Sequence, residues 1–240
     1  MNADSTPTKM KVTLIDHTHN AVEKLLYTKA TRLTQGEETR EKIANLSEVD
    51  KLSELTYMAG TIPSSWEFVT YTFEITGVTR AFTHQFVRTR TGSYAQQTMR
   101  MLPMEKFGYV VPDTIKVDKH ANGLYESAMG MIQVAYDELI KSGIPIEDAR
   151  GLLPTNIKTN IIAQFSLRTL SEMAKSRTGG RTQGEYRKVM NCMLDAVLEV
   201  HPWADRFLFP DRAKQIKSLE DLLDNFIAEG RITTDHRTRA

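Results

Sequence analysis

Hydrophobic positions change their period several times along the 240 residues, and each change marks an element. "MKVTLID" (10–16) alternates and reads as a strand. "NAVEKLLYTKATRL" (20–33) follows as a helix with Asn20 at its N-cap. Between 41 and 58, Leu46, Val49, Leu52 and Leu55 fall three apart, which predicts one face of an amphipathic helix. "TIPSS" (61–65) interrupts that pattern. "WEFVTYTFEIT" (66–76), dense in aromatic and β-branched residues, reads as a strand that Gly77 ends. From Val78 the spacing turns helical to about residue 90, with Val78, Phe82 and Phe86 four apart.

Beyond Gly92 a polar run predicts an irregular loop, then a short strand at "FGYVVP" (107–112). Residues 122–141 predict a long helix closed by Gly143 and Pro145. "PIEDARGLLP" reads as a turn and a short helix. Residues 156–176 and 182–200 read as two more helices joined by "RTGGRT". Ser218 and Asp221 form a capping box for a last helix over 219–228. The sum is an α+β chain in which helices outnumber strands: one domain over 10–230, between polar tails at 1–9 and 231–240.

Composition narrows the function class. The chain carries 31 Lys+Arg against 30 Asp+Glu, and 40% of its residues are hydrophobic. A net charge of +1 lacks the broad basic excess of a nucleic-acid or membrane binder, so neither partner is expected. No apolar run has the length of a membrane span, and "MNADSTPTKMK" is too polar for a signal peptide. With one cysteine there is no internal disulfide framework, which makes a cytoplasmic location the expectation.

Against this balance, "VTRAFTHQFVRTRTGSYAQQTMR" (78–100) holds four arginines and no lysine, aspartate or glutamate. On a helix Arg80, His84 and Arg88 share one stripe, with Phe82 and Phe86 beside them facing the core. Arg88 and Arg90 would lie roughly 200° apart, so they address different partners unless the helix ends between them. The segment "TGSYAQQTM" (91–99) adds neutral donors. Fixed guanidinium groups beside hydroxyls and amides suit a small polyanion, because arginine grips phosphate in a planar, bidentate fashion. Two plainer accounts compete: pairing with carboxylates elsewhere in the fold, or a single-stranded nucleic-acid groove using Tyr94 and Phe86 for stacking. Arg150, Arg168 and Arg177 extend the cationic set. Arg168, within the mostly apolar run 161–170, needs an anionic or acceptor partner, either Glu172 or a ligand.

Other residues carry less. "DHTH" (16–19) places two histidines on one face without a third ligand at a recognisable spacing, so no metal is expected. "TGG" (178–180) follows a helix and lacks a phosphate-loop fingerprint. Ser93 and Thr98 have no histidine placed by spacing to activate them, and read as hydrogen-bond donors. His84, on the arginine stripe, divides evenly between a ligand contact and packing.

The stretch "TFEITGVTRAFTHQFVRTRTGSYAQQTMR" resembles the signature region of the flavin-dependent thymidylate synthases, Arg-His-Arg, seven residues, Ser, and an Arg two further on. Here it reads Arg88-Thr89-Arg90, then Thr98 and Arg100. The resemblance continues through "EDARGLLPTN" (147–156), "FSLRTLSEMAKSR" (165–177) and "QGEYR" (183–187), in order over roughly residues 60–200. It implies a helix-rich single domain with a small antiparallel sheet packed against long helices, assembled as a homotetramer. It further implies FAD held by Ser64, Arg88, Arg90, Gln96 and Arg168, with NADPH as reductant and methylenetetrahydrofolate as one-carbon donor. The substrate it implies is dUMP, cradled by Gln85, Arg88, Gln96, Gln97, Thr98, Arg100 and Arg150. Arg177 would lie against the uracil ring as the catalytic cation, stabilising charge that grows along the reaction.

Three departures stand out: Thr89 for the middle His, Thr98 for Ser, and Ile62-Pro63 for the family's His-Glu pair. They lie toward the folate and flavin side, and leave hydroxymethylation of dUMP or dCMP as an alternative outcome. Cys192 would be the nucleophile in the other thymidylate synthase family. Here Val189, Cys192 and Ala196 share a helix face, which predicts buried packing, and no basic sequence neighbour lowers the thiol pKa.

Overall fold

The computed structural model describes residues 9–32, 38–100, 104, 107–209, 218, 222 and 226. One four-stranded antiparallel sheet organises them: β1 (Lys11–His17), β2 (Thr70–Thr79), β3 (Ser93–Gln96) and β4 (Lys158–Ser166), in the order β1-β2-β4-β3. Helices α1 (Ala21–Ala30), α2 (Glu38–Ala44) and α3 (Glu48–Thr61) fill the first crossover. Helix α4 (Arg80–Phe86) separates β2 from β3. The short α5 (Asp113–Lys116), the long α6 (Lys119–Lys141) and the short α7 (Ile146–Ala149) precede β4. Helices α8 (Leu167–Arg177), α9 (Gly184–Val200) and α10 (Asp205–Leu208) follow it. This is the α+β, helix-rich single domain with a small antiparallel sheet expected above.

The inner face of the sheet makes the core. Tyr71, Phe73 and Ile75 of β2 and Ile161, Ala163 and Phe165 of β4 are buried, joined by Tyr186, Val189, Met190, Met193 and Val197 of α9. Burying such side chains contributes about 1.5–3 kcal/mol each before conformational entropy is counted. A second, small cluster forms where Phe107, Met129 and Ile157 meet, so α6 is anchored separately from the main core.

Several local expectations change. Residues 158–166 form a strand, because Thr159, Ile161, Ala163 and Phe165 are buried while Asn160, Ile162 and Gln164 are exposed, a period of two. The helix expected from 156 therefore starts only at Leu167, capped by the Ser166 hydroxyl accepting from the Thr169 amide at 3.2 Å. Strand β2 does not end at Gly77. A bulge lies between Ile75 and Val78, where Gly77 takes φ 68, and pairing resumes to Thr79.

The helix expected over 41–58 is two helices broken before Ser47, whose hydroxyl caps α3. On α3 the buried residues are Leu55 and Met58, while Val49 and Leu52 are exposed. Asn20 precedes α1 in a left-handed conformation and makes no side-chain cap. The loop expected after Gly92 contains β3, and the strand expected at 107–112 reduces to one bridge, Tyr109 to Ile157. Of the last predicted helix, Ser218, Leu222 and Phe226 are helical and the rest, with Asp221, lies outside the described residues, as do most of both tails. Among the described residues no helix is long and apolar enough to cross a membrane.

Candidate active site

Helix α4 starts where β2 stops, and two residues fix the junction. The Thr79 hydroxyl accepts from the Phe82 amide at 3.0 Å, capping α4. Glu185 of α9 holds Thr79 in turn, its Oε1 accepting from the Thr79 amide at 2.9 Å and its Oε2 from the hydroxyl at 2.5 Å. Phe82 and Phe86 point inward, edge-on to Tyr186 at 5.2 and 5.8 Å between ring centres. The opposite side of α4 leaves His84 exposed and Gln85 half-buried.

The helix ends at Phe86, before Arg88 and Arg90, so those two arginines stand on a turn. Tyr94 pins that turn: its hydroxyl donates to the carbonyl oxygens of Phe86 at 3.1 Å and Thr89 at 2.7 Å. Burial pushes the Tyr94 pKa up to about 12, which keeps the donor proton in place. Both arginines are exposed, and neither guanidinium bonds or ion-pairs with a described residue.

The cradle residues fall into neighbouring groups. Gln85 Nε2 donates to Gln183 Oε1 at 2.9 Å, joining α4 to the start of α9. Gln96 Nε2 donates to Thr83 Oγ1 at 2.8 Å, and the Gln97 amide to the Asn160 carbonyl at 3.0 Å, so β3 is fixed to α4 and β4. Thr98 Oγ1 accepts from the Arg100 amide at 3.1 Å. Glu147 brings Arg100 and Arg150 together: its Oε2 accepts from Arg100 Nε at 2.9 Å and its backbone oxygen from Arg150 Nε at 3.1 Å. Arg177, at the end of α8, lies 5.1 Å over the Tyr186 ring and meets no described carboxylate.

Two further residues expected on the flavin, Arg168 and Ser64, already have protein partners. Arg168 is in the first turn of α8, half-exposed, and its Nη1 contacts Glu67 Oε1 at 2.7 Å and its Nε Glu172 Oε1 at 3.3 Å. Its partner is therefore the protein's own carboxylates, in part the Glu172 named from the sequence. The Ser64 hydroxyl accepts from Arg32 Nη2 at 2.7 Å. A hydrogen bond of 3.2 Å from Thr169 Oγ1 to Thr91 Oγ1 joins this group to the arginine turn.

Sequence spacing did not single out Glu185, Glu147, Tyr94 or Tyr186 as the supports of these arginines. Thr79 at a helix start was the available signal for Glu185, since an N-cap hydroxyl invites an acceptor. The rings of His17 and His19 lie tilted at 5.0 Å between centres, and His17 meets His201 edge-on at the same distance. No group of three such side chains among the described residues is arranged to hold a metal ion. Cys192 is half-buried rather than buried, at the margin of the α9 stripe formed by Val189, Met193 and Val197.

Most of the chain resembles known proteins. Residues 13–203 match the family model described as thymidylate synthase complementing protein. A flavin-dependent thymidylate synthase of Clostridium tetani is 33% identical over 211 residues, covering 80% of this chain and 84% of the relative. The same enzyme name is borne by a Pyrococcus furiosus protein 34% identical over 191 residues, 78% of each chain. A Sulfurisphaera tokodaii protein of that name is 30% identical over 228 residues, 94% of this chain and 85% of its own.

Proposed function

This chain belongs to the thymidylate synthase complementing protein family, and on that premise we propose that it transfers a one-carbon unit to C5 of dUMP, giving dTMP. It is a methyltransferase of the flavin-dependent thymidylate synthase type. The proposed cofactor is FAD, with NADPH as reductant and methylenetetrahydrofolate as carbon donor; bound flavin supplies hydride chemistry.

The observation that carries the reading is the pair Arg88 and Arg90, exposed, unpaired with any described residue, and held on a turn by Tyr94. Unneutralised guanidinium groups on a fixed backbone fit the phosphates of a dinucleotide and of a nucleotide beside it. In this assignment Gln85, Gln96, Gln97, Thr98, Arg100 and Arg150 orient the nucleotide. Ser64 and Arg168 border the flavin, which would take over part of the contacts they now make with Arg32, Glu67 and Glu172. Arg177 stabilises negative charge developing at N3 and O4 of the base; having no described carboxylate partner leaves its charge available. Assembly as a homotetramer is part of the proposal, and Leu124, Met131 and Val134, exposed along α6, support a subunit contact there.

A second reading, hydroxymethylation of dUMP or dCMP, is favoured by one observation: Thr89 and Ile62-Pro63 stand where the family has His and His-Glu. One experiment separates them. The protein is incubated with FAD, NADPH, methylenetetrahydrofolate and either dUMP or dCMP, and the product mass is read. A methyl adduct of dUMP supports the first reading, a hydroxymethyl adduct the second. No nucleotide product together with no flavin absorbance rejects both.

A further inference from the structure

Arg80 opens α4 beside the cradle, and the proposed function has not used it. Its Nη2 donates to the backbone oxygen of Gln97, and its own amide donates to the Ile157 oxygen at 3.1 Å. The Arg80 Nε is buried without a hydrogen-bond partner among the described residues, an arrangement that is unfavourable unless something compensates it. No carboxylate among the described residues pairs with this side chain. Burial, and then the like charge of Arg150, lower its pKa. Arg80 thus lies within electrostatic reach of Arg150, whose Nε donates to the Glu147 backbone oxygen, while Arg100 engages the Glu147 carboxylate.

A structural arginine is ordinarily matched by an acid; here the charge next to Arg80 has the same sign. The side chain fixes the oxygen of Gln97, the residue before Thr98, and the Thr98 hydroxyl accepts from the Arg100 amide. Gln97, Thr98 and Arg100 therefore form one short unit tied to α4 through a single cation.

We propose that Arg80 is a positioning residue of the nucleotide cradle: it clamps Gln97 so that Thr98 and Arg100 face the phosphate of a deoxynucleoside monophosphate, and with Arg150 it sets the positive field that selects a dianion over an uncharged nucleoside. The inference rests on the nucleotide reading given above. It adds a residue and a basis for requiring the 5′-phosphate.

The test uses the full chain loaded with FAD. Arg80→Met and Arg80→Lys are compared with wild type in dUMP affinity, inhibition by inorganic phosphate, FAD affinity, KM and kcat. Loss of a charged donor at this site predicts about 10- to 100-fold weaker dUMP binding and a matching rise in KM for Arg80→Met. Phosphate inhibition weakens in parallel, while FAD affinity stays unchanged and kcat shifts by only about threefold at most. Arg80→Lys, which keeps charge but not the planar fork, falls between.

Unchanged dUMP and phosphate binding in Arg80→Met overturns the proposal. So does equal loss of FAD and dUMP in both variants, which marks a merely structural role. If Arg80→Met does not fold, the Lys variant decides by the same split. Wild-type protein that binds FAD but no dUMP sinks the nucleotide reading itself, a result distinct from failure of the Arg80 variants alone.

Discussion

Replacing Gly92 by alanine tests whether the arginine turn is held by packing from below. A methyl carbon at this position would lie 2.4 Å from Phe165 Cε1 and 2.8 Å from both Phe165 Cδ1 and the Tyr94 hydroxyl. Carbon atoms pack at about 3.5–4.0 Å, so the shortfall exceeds an ångström. The backbone of Gly92 is not left-handed, and the cost is therefore steric. Phe165 has nowhere to go: it is 1% exposed and wedged between Phe86 and Tyr94, with ring centres 5.4 and 5.7 Å away. Overpacking of this kind costs about 1–3 kcal/mol. Displacing the Tyr94 hydroxyl from the Phe86 and Thr89 oxygens adds about 0.5–1.5 kcal/mol for each bond lost.

The expected loss is thus about 2–6 kcal/mol, read by urea denaturation at unchanged slope. FAD affinity should fall too, since the Thr89 oxygen that Tyr94 holds lies between Arg88 and Arg90. Phe165→Leu in the same chain makes room, and the double variant should recover at least half of the penalty. A Gly92→Ala protein within about 0.5 kcal/mol of wild type, or one with no coupling to Phe165, refutes the reasoning.

Arg177→Ala is expected to lower kcat by about 10²–10³ with little change in dUMP affinity, measured by single-turnover kinetics and calorimetry; equal losses in both reassign it to binding. Cys192→Ala, at the margin of the α9 stripe, is expected to retain activity in the product assay, and complete loss would require a cysteine nucleophile. Burial, then repulsion from His17 and His19, lower the His201 pKa from 6.5 to about 4. The unfolded chain takes up this proton first, so stability is full above pH 6.5 and declines as pH falls toward 4. Discounted for partial exposure the loss is about 1–2 kcal/mol, and His201→Gln should flatten the melting temperature between pH 7 and 5 relative to wild type.

Period carried most of what was legible in the fold. Helices α6, α8 and α9 combine apolar stripes with sharp ends, such as Gly143 after α6 and the glycines after α8, and their cores were readable. Strand β4 was not, because "TNIIAQFSLRTL" has both an alternating and a helical reading, and its partner β2 lies some 80–100 residues earlier in the chain. The bulge at Gly77 was hidden for a related reason: a glycine ends or bends a strand depending on what pairs beyond it, here Thr159 and Lys158 opposite Val78 and Thr79. Strand β3 was masked by its polar residues, which suffice at a sheet edge whose one neighbour is β4.

The arginine segment shows what a local charge count can and cannot say. Counting found no acid within residues 78–100, yet Arg100 meets Glu147, 47 positions away, and Arg168 meets Glu67, 101 positions away. These pairs are compatible with the proposed cradle. Arg100 and Glu147 side chains are 65% and 50% exposed, and pairs of that kind are worth about 0–1 kcal/mol. A phosphate accepting two bonds from one guanidinium, on a backbone already fixed by Arg80 and Thr98, binds more strongly than that. Under the proposed function, exchange of carboxylate for phosphate at Arg100 would thus be downhill. At Arg88 and Arg90, as at Arg177, no described carboxylate would have to be displaced, so an anion arriving at the turn under Tyr94 would meet charge not already engaged by a described acid.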